Sequence, residues 1–406
     1  MTITANTTSA TPAAPTGYRP APLRPGDDAF VVLAAEVGAG CALHAAQHDQ
    51  DNTFVAENYD ALRAAGYMRL AVPTELGGLG ASMRQVCYAQ AELAKHCGST
   101  ALAINMHVYN TMVVTYRYRH GTPTADELLR RVATEGAVLM TSGGSDGIWP
   151  SATATRVDGG YRVTGRKVFC SQAPAADLLS TAAVYEDPGE GMTVLGVTVP
   201  MTSEGVRIIE TWDTMGMRGT SSHDVQLTEV FVPDQAIAVR RPWGKVDASL
   251  RSALIHITPT TSAVYLGIAM GARDEALRTI AQRKSGRGDA MANDPLAQRH
   301  VGLMDYRLKT AWWSVMGALD ELGDDYQIGE REVGLVQLAR RDAMSAAQEV
   351  VDTAMETLGG SSYFRRSPLE RAYRDVRAGR FHPFAPEKVL LYAGRQALEL
   401  PVEGIW

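Results

Sequence analysis

The chain has little of what marks several large classes of protein. Only 4 of its 406 residues are cysteine, and they lie far apart, which excludes a dense disulfide scaffold and a cysteine-based zinc site. No stretch approaches the roughly 18 consecutive apolar residues that span a bilayer. The formal net charge of −6 provides neither a basic stripe for nucleic acid nor a polybasic patch for a membrane. These absences predict a cytoplasmic protein with no nucleic-acid or membrane partner and no metal site.

Two common nucleotide-binding motifs are also missing. No G-x-G-x-x-G follows a strand pattern, and no G-x-x-x-x-G-K-[ST] occurs. A G-x-S-x-G pattern is present within 143–147, but Pro150 and a β-rich run follow it where a nucleophile elbow requires a helix. The sequence therefore argues against a hydrolase, and any bound nucleotide must be held in another way.

The chain does contain two clear changes of hydrophobic period. Residues 1–26 are rich in Thr, Ala and Pro and predict a disordered leader. Residues 27–135 have a helical period, residues 136–240 have the two-residue period of strands, and residues 241–406 are helical again. Because strands and helices do not alternate, this order predicts an α+β fold with an N-terminal helical domain, a middle antiparallel β-domain and a C-terminal helical domain.

The end of one predicted strand, F-C-S, combines an aromatic, a thiol and a hydroxyl group. Side chains alternate along a strand, so Phe169 and Ser171 should share a face while Cys170 points to the other. An aromatic wall beside a hydroxyl group suits the edge of a flat cofactor, although the residues could equally finish a strand. His107, in a mostly apolar helix, is a second candidate, with a hydrogen-bonded core histidine as the alternative.

Two groups of basic residues lie in the C-terminal region. Guanidinium groups bind phosphate oxygens well, so one interpretation is capture of a phosphorylated cofactor; the other is a solvated face. The two groups are Arg283, Lys284 and Arg287, and then Arg365, Arg366, Arg371, Arg374, Arg377 and Arg380.

Four longer motifs occur in one order along the chain. They are P-T-E-L-G-G-L-G-A-S at 73–82, G-G-Y-R-V-T-G-R-K-V-F-C-S at 159–171, W-D-T-M-G-M-R-G-T-S-S-H-D-V at 212–225 and G-G-S-S-Y-F-R-R-S-P-L-E-R-A-Y-R-D-V-R at 359–377. In this order, over about residues 27–400, the chain resembles the acyl-CoA dehydrogenase superfamily. The resemblance implies a C-terminal four-helix domain, FAD rather than FMN bound between the β-domain and the helices, and a homotetramer.

The resemblance also implies which residues contact the flavin. Phe169 and Ser171 would face the ring, with Ser171 near N5, while Thr141 and Ser142 would line the pyrimidine side. The adenosine diphosphate part of FAD would be reached across a subunit interface by Arg283, Gln298, Gly359 and Gly360.

The chain departs from the dehydrogenases of this superfamily at the catalytic base. Those enzymes remove an α-proton with a glutamate placed over the flavin. Here His382 and Pro383 stand where that glutamate is expected, and the alternative position, near His256, is not acidic. The T-E-P-x-A-G-S-D signature is also shortened, to T-S-G-G-S-D at 141–146.

Several of the motifs resemble a branch that contains flavin-dependent monooxygenases. These include dibenzothiophene, hydroxyphenylacetate and amino-sugar oxygenases, which receive reduced flavin from a separate reductase. The sequence thus predicts a reduced-flavin monooxygenase of a small organic substrate, with His382, His107 and Ser171 as catalytic residues. Two alternatives stay open: an acyl-CoA or carrier-protein thioester dehydrogenase with a non-standard base, either one of these histidines or Asp375, and a non-catalytic flavin-binding homologue.

Overall fold

The N-terminal domain is helical. The computed structural model describes residues 17–284 and 288–405. Ser82 starts the third helix with a capping box, in which its side chain accepts from the Gln85 amide and the Gln85 side-chain oxygen accepts from the Ser82 amide. The fourth helix is buried on almost every side. The five helices are α1 (Asp27–Asp51), α2 (Ala56–Ala64), α3 (Met83–His96), α4 (Gly98–Arg119) and α5 (Ala125–Glu135).

The middle domain is one eight-stranded sheet. Its strands lie in the order β6-β7-β3-β2-β4-β5-β8, and β1 pairs with β4. The strands are β1 (Leu139–Thr141), β2 (Ala152–Val157), β3 (Gly160–Cys170), β4 (Leu178–Asp187), β5 (Gly191–Pro200), β6 (Val206–Ile209), β7 (His223–Pro233) and β8 (Ile237–Pro242). Most pairs are antiparallel, as predicted, but β1 and β2 both run parallel to β4, one after the other. The segment 142–151 is therefore a loop between β1 and β2, which pair with successive parts of β4.

The C-terminal domain packs around one central helix. It comprises α6 (Ala248–Gln282), α7 (Pro295–Leu322), α8 (Glu330–Leu358), α9 (Pro368–Arg377) and α10 (Pro386–Ala397). Helix α6 approaches α3 closely because it has glycine at the contact: a Cβ at Gly267 would lie 2.2 Å from the Ala91 carbonyl oxygen. Buried apolar residues from the N-terminal and C-terminal helices therefore form one continuous core.

Part of the predicted leader packs against this core. The Tyr18 amide donates to Asp274 at 2.8 Å, and the buried Arg84 donates to the Pro22 carbonyl oxygen at 2.7 Å. The prediction of disorder is wrong for residues 17–26, since these backbone groups have partners in α3 and α6. Residues 1–16 lie outside the described residues.

All four cysteines are free and buried. Burial raises the pKa of the Cys41 and Cys170 thiols to about 12. The four thiols are therefore held in their neutral form inside the domains.

Two helices in the described part are long and apolar enough by composition to cross a membrane. They are α1 and α6. Most of the apolar part of α6 is buried among the other helices, whereas α1 buries a smaller share. The core helix of a folded domain passes the same test.

Candidate functional site

A cavity of about 750 Å³ lies between the β-domain and the helices. Its walls come from α4 and α6, from β4 and β5, from the loop that precedes Ser151, and from the segment 378–384. Most lining side chains are apolar, and a few polar groups point into the space, which is the usual composition of a ligand site.

A buried ion pair supports the loop between β1 and β2. Lys167 contacts the two carboxylate oxygens of Asp146 at 2.9 and 2.8 Å. The same carboxylate accepts hydrogen bonds from Ser142, Ser151 and Thr181. Burial alone would raise the pKa of Asp146, but the Lys167 charge and these hydrogen bonds hold that pKa below its ordinary value. Asp146 therefore stays ionised and fixes Ser142 at the cavity wall.

Two aromatic rings form one side of the cavity. Phe169 is 61% exposed and meets Trp212 edge to face, with ring centroids 6.1 Å apart. Cys170 lies in the core of the sheet, while Phe169 and Ser171 both line the cavity. The predicted arrangement of these three side chains is therefore present.

Hydroxyl groups occupy the neighbouring wall. The Thr141 hydroxyl lies 2.6 Å from the Tyr109 hydroxyl, and the Ser171 hydroxyl lies 2.8 Å from that of Ser222. Thr141, Ser142, Phe169 and Ser171, the four residues expected at a flavin ring, thus line a single cavity.

His382 lines the cavity as a neutral imidazole. Its Nε2 lies 2.7 Å from the Tyr265 hydroxyl, and Arg340 donates to the carbonyl oxygens of Gly379, His382 and Phe384. Burial, with a smaller effect of the Arg340 charge, lowers the pKa of His382 to about 3. The segment is fixed by its backbone, and the imidazole is uncharged at neutral pH.

His107 is a structural residue, contrary to the prediction. Its Nδ1 accepts from the Leu139 amide at 3.1 Å, so the proton lies on Nε2, which donates to the Met68 carbonyl oxygen at 2.6 Å. The side chain is fully buried and does not line the cavity. Burial lowers its pKa to about 4. With both nitrogens bonded to backbone, His107 joins α4 to β1 and is not available to a ligand.

The other candidate bases also lie outside the cavity. Asp375 is buried and accepts from the Met217 amide at 2.6 Å, and burial raises its pKa to about 6. His256 is bonded through Nδ1 to the Ser252 carbonyl oxygen and through Nε2 to the Tyr326 hydroxyl, both at 2.6 Å. Among the described residues that line the cavity, Asp146 is the only carboxylate.

The residues expected at the adenosine diphosphate part lie together at one end of the C-terminal domain. Arg283, just after α6, donates to Ser361 at 2.9 Å, close to the turn formed by Gly359 and Gly360. Gln298, in the first turn of α7, donates to the Ala292 carbonyl oxygen. None of the four lines the cavity of its own chain as the structure describes it.

Much of the second basic group is paired with carboxylates. Arg374 binds Asp49 and Glu370, and Arg377 binds Asp352. Phosphate capture by these two arginines is therefore wrong, because their charges are already neutralised. Arg287 lies outside the described residues.

Three of the residues that shape the site were not predicted from the sequence. Tyr265 and Arg340 left no local signal, since their partners are distant in the chain. Lys167 could have been recognised from the sequence. It alternates along β3 in step with Tyr161 and Val163, whose side chains enter the sheet core. A lysine at an inward position of a strand indicates a buried carboxylate partner.

An aromatic edge, several hydroxyl groups and a neutral imidazole suit a planar flavin ring, so fold and site together define a flavin-dependent oxidoreductase. Three family models match consecutive parts of the chain: the acyl-CoA dehydrogenase N-terminal domain at residues 33–135, the middle domain at 140–230 and the C-terminal domain at 260–387. The chain belongs to the acyl-CoA dehydrogenase family, as its motifs predicted.

Relatives in the family differ in reaction. L-evernosamine nitrososynthase from Micromonospora sp. is 32% identical, covering 94% of this chain and 92% of its own. The putative acyl-CoA dehydrogenase YdbM of Bacillus subtilis is also 32% identical, and the match covers 87% of this chain and 93% of YdbM. Dibenzothiophene monooxygenase, indole-3-acetate monooxygenase and the oxygenase subunit HsaA are more distant relatives.

A solved structure of KijD3 in complex with FMN and dTDP-3-amino-2,3,6-trideoxy-4-keto-3-methyl-D-glucose has a similar fold. Its TM-score is 0.86 at 27% identity, over 95% of this chain and 96% of KijD3.

Proposed function

We propose that this chain is a reduced-flavin monooxygenase that oxidises the amino group of a small organic substrate. The observation that carries the proposal is the state of the one carboxylate at the cavity. Asp146 is bonded to Lys167 and to three side-chain hydroxyl groups, so it has no capacity to remove a substrate proton. The described residues that line the cavity therefore provide no carboxylate base for the α-proton abstraction of an acyl-thioester dehydrogenase.

The cavity suits a flavin, and a reduced flavin bound there would supply the electrons that activate molecular oxygen. Phe169 and Trp212 would hold the ring by apolar contact, and the hydroxyl groups of Thr141, Ser142 and Ser171 would bind its polar edge. FMN is the better supported form, because KijD3 was solved with FMN. FAD, which the motifs favoured, remains the alternative.

The protein side chains would contribute orientation and a dry environment. With Nε2 of His382 occupied by Tyr265, Nδ1 is the ring nitrogen left for a ligand, and no described residue bonds to it. A neutral imidazole can hydrogen-bond the substrate without placing a charge beside the reacting nitrogen. The apolar lining, with residues such as Leu254 and Ile257, excludes water from the reaction.

The amine is proposed from the relatives. L-evernosamine nitrososynthase and KijD3, whose structure holds an amino sugar, match more than nine tenths of this chain. The balanced reaction is RNH₂ + O₂ + reduced flavin → RNHOH + H₂O + oxidised flavin. One oxygen atom enters the N–O bond and the other leaves as water.

Three further properties belong to the same proposal. A separate reductase would supply the reduced flavin, as the relative HsaA is an oxygenase subunit. The homotetramer and the cytoplasmic location, both expected from the sequence, remain proposals. Gel filtration with light scattering would measure the subunit number.

The test combines the protein with FMN, a flavin reductase, NADH and a dTDP-linked amino sugar under ¹⁸O₂. Mass spectrometry should show a product with one ¹⁸O atom. Reduction of an electron-acceptor dye by an acyl-CoA, without ¹⁸O incorporation, would instead establish the dehydrogenase. Flavin binding without turnover in either assay would indicate the non-catalytic homologue.

A further inference from the structure

Four arginines of the described part of the chain line the cavity, and three of them have partners. Arg340 donates to backbone carbonyl oxygens of the segment 379–384. Arg241 donates to the carbonyl oxygens of Gly147 and Lys245. Arg374 binds the carboxylates of Asp49 and Glu370. Each of these three guanidinium groups holds two parts of the protein together and is not free for a ligand.

Arg117 is different from the other three. It lies in the last turn of α4, is only partly exposed and lines the cavity, yet its guanidinium group has no hydrogen bond or ion pair with any described residue. The carboxylate that influences it is Asp247. That carboxylate is occupied at the start of α6, where it accepts from the Leu250 amide and the Ser249 hydroxyl.

This position is unfavourable for an unpaired cation. Partial burial removes water from the guanidinium group and lowers the pKa of Arg117. A planar guanidinium group with free N–H donors is matched in shape by the two oxygens of a carboxylate or phosphoryl group. An oxyanion in the cavity would complete the hydrogen bonds that the chain leaves open.

Arg117 also lies far from the proposed flavin ring. Tyr109, which contacts Thr141, and Arg117 are on the same side of α4, eight residues apart. At 1.5 Å per residue this spacing corresponds to about 12 Å along the helix axis. An oxyanion bound by Arg117 would therefore belong to a part of the substrate remote from the reacting group.

We propose that Arg117 is a specificity-determining residue that binds an oxyanion, phosphoryl or carboxylate, at the end of an elongated substrate. The inference rests on the proposed function in one respect: the molecule that Arg117 binds is taken to be the substrate that is oxidised. It narrows the substrate class to amines that carry a negative charge at the end remote from the amino group.

Isothermal titration calorimetry on the flavin-free full chain tests the proposal. The probes are dTDP, inorganic pyrophosphate and succinate, each titrated separately. Binding of dTDP or pyrophosphate identifies a phosphoryl group, and binding of succinate alone identifies a carboxylate. In R117Q, the affinity for the bound probe should fall at least tenfold, and R117K should recover part of the loss. R119Q, which removes the same charge from the exposed neighbour on the same helix, should bind as the wild type does.

Three results would overturn the proposal: equal affinity of R117Q and the wild type, an equal loss in R119Q, or no binding of any probe to the wild type. Circular dichroism on each variant checks that it is folded, and R117K covers the case in which R117Q is not. Because these measurements need neither flavin nor oxygen, failure of the oxidation reaction would not imitate failure of oxyanion binding.

Discussion

The Tyr265 hydroxyl and Nε2 of His382 lie 2.7 Å apart, although the two residues are separated by 117 positions in the chain. Tyr265 is fully buried in α6, so its position is fixed by the core. The bond leaves the imidazole one orientation toward the cavity. Because burial keeps the pKa of His382 near 3, the group acts as an oriented neutral hydrogen-bonding residue.

Replacing Tyr265 by Phe should therefore have a larger effect on the reaction than on stability. The share of consumed oxygen that ends in the oxygenated product should fall. Without the hydroxyl, His382 loses its orientation, and we expect kcat for the oxygenated product to fall about tenfold, the effect of losing roughly 1.4 kcal/mol. Oxygen consumption should continue, with hydrogen peroxide as the product. The control is Y67F, which removes a buried hydroxyl bonded to Gln90 outside the cavity. Equal product yields in both variants would contradict a positioning role for Tyr265.

Replacing His107 by Ala should lower stability without changing the reaction. The Leu139 amide and the Met68 carbonyl oxygen would be left buried without partners, which costs about 2–5 kcal/mol of the free energy of unfolding. Thermal unfolding measures this loss. The pH dependence of kcat, measured well below the unfolding temperature, should match the wild type, while H382A should lose at least tenfold in kcat. A changed pH profile in H107A would restore the histidine as a catalytic residue.

Replacing Lys167 by Met should be strongly destabilising. The Asp146 carboxylate would stay buried without its cation, and breaking such a pair from one side costs about 3–5 kcal/mol. The double variant K167M/D146N should recover part of the loss, because the charge has also gone. R156M, which breaks the exposed pair with Asp234, is the control and should change the unfolding temperature little. Equal effects of K167M and R156M would show that the buried pair has no special role.

Acidification from pH 7 to pH 5 should lower the unfolding temperature. The pKa values of His107 and His256 are lowered to about 4 and that of His382 to about 3, all by burial. Since unfolded histidine binds a proton near pH 6.5, stability is full above that pH and is lost as the pH falls toward 4, by about 2 kcal/mol per histidine at pH 5. Asp375, whose pKa is raised to about 6, has the opposite effect, because its protonation on acidification favours the folded state. The destabilisation by three histidines should exceed the stabilisation by this single carboxyl group.

The experiment is a series of melting curves between pH 7 and pH 5. H107A should show a shallower decline than the wild type, since it has one buried histidine fewer. An unfolding temperature that rises on acidification would contradict the assignment of these histidines as neutral.

The sequence was sufficient for the fold, since the change of hydrophobic period marks all three domains and the motifs carry the family. At the site, the alternation of side chains correctly predicted that Phe169 and Ser171 share a face. The same alternation, counted from the inward-facing Lys167, would however have turned both side chains into the sheet core. A bulge corrects this: between Lys167 and Cys170, β3 has one residue more than β7. Phe169 adopts a φ of 54° there, and its ring turns to the cavity. No residue pattern indicates such an insertion.

The remaining site residues depend on distant parts of the chain. From the sequence, His107 was a candidate as a single histidine in an apolar helix, and His382 was one because it stands where the glutamate of the dehydrogenases is expected. Their roles differ only through their partners, which are backbone groups for His107 and Tyr265 for His382. The position of Arg117 in the cavity wall likewise depends on the tertiary fold and not on a local pattern.

The burial of every native cysteine makes the chain suitable for site-specific labelling. Since the four thiols are buried in the domains, a bulky maleimide should react slowly with the wild type. A cysteine placed at Phe381, which is 85% exposed and lines the cavity, would then be the single fast-reacting position. The rate of its modification, with and without bound flavin, would measure how far the flavin shields this part of the cavity wall.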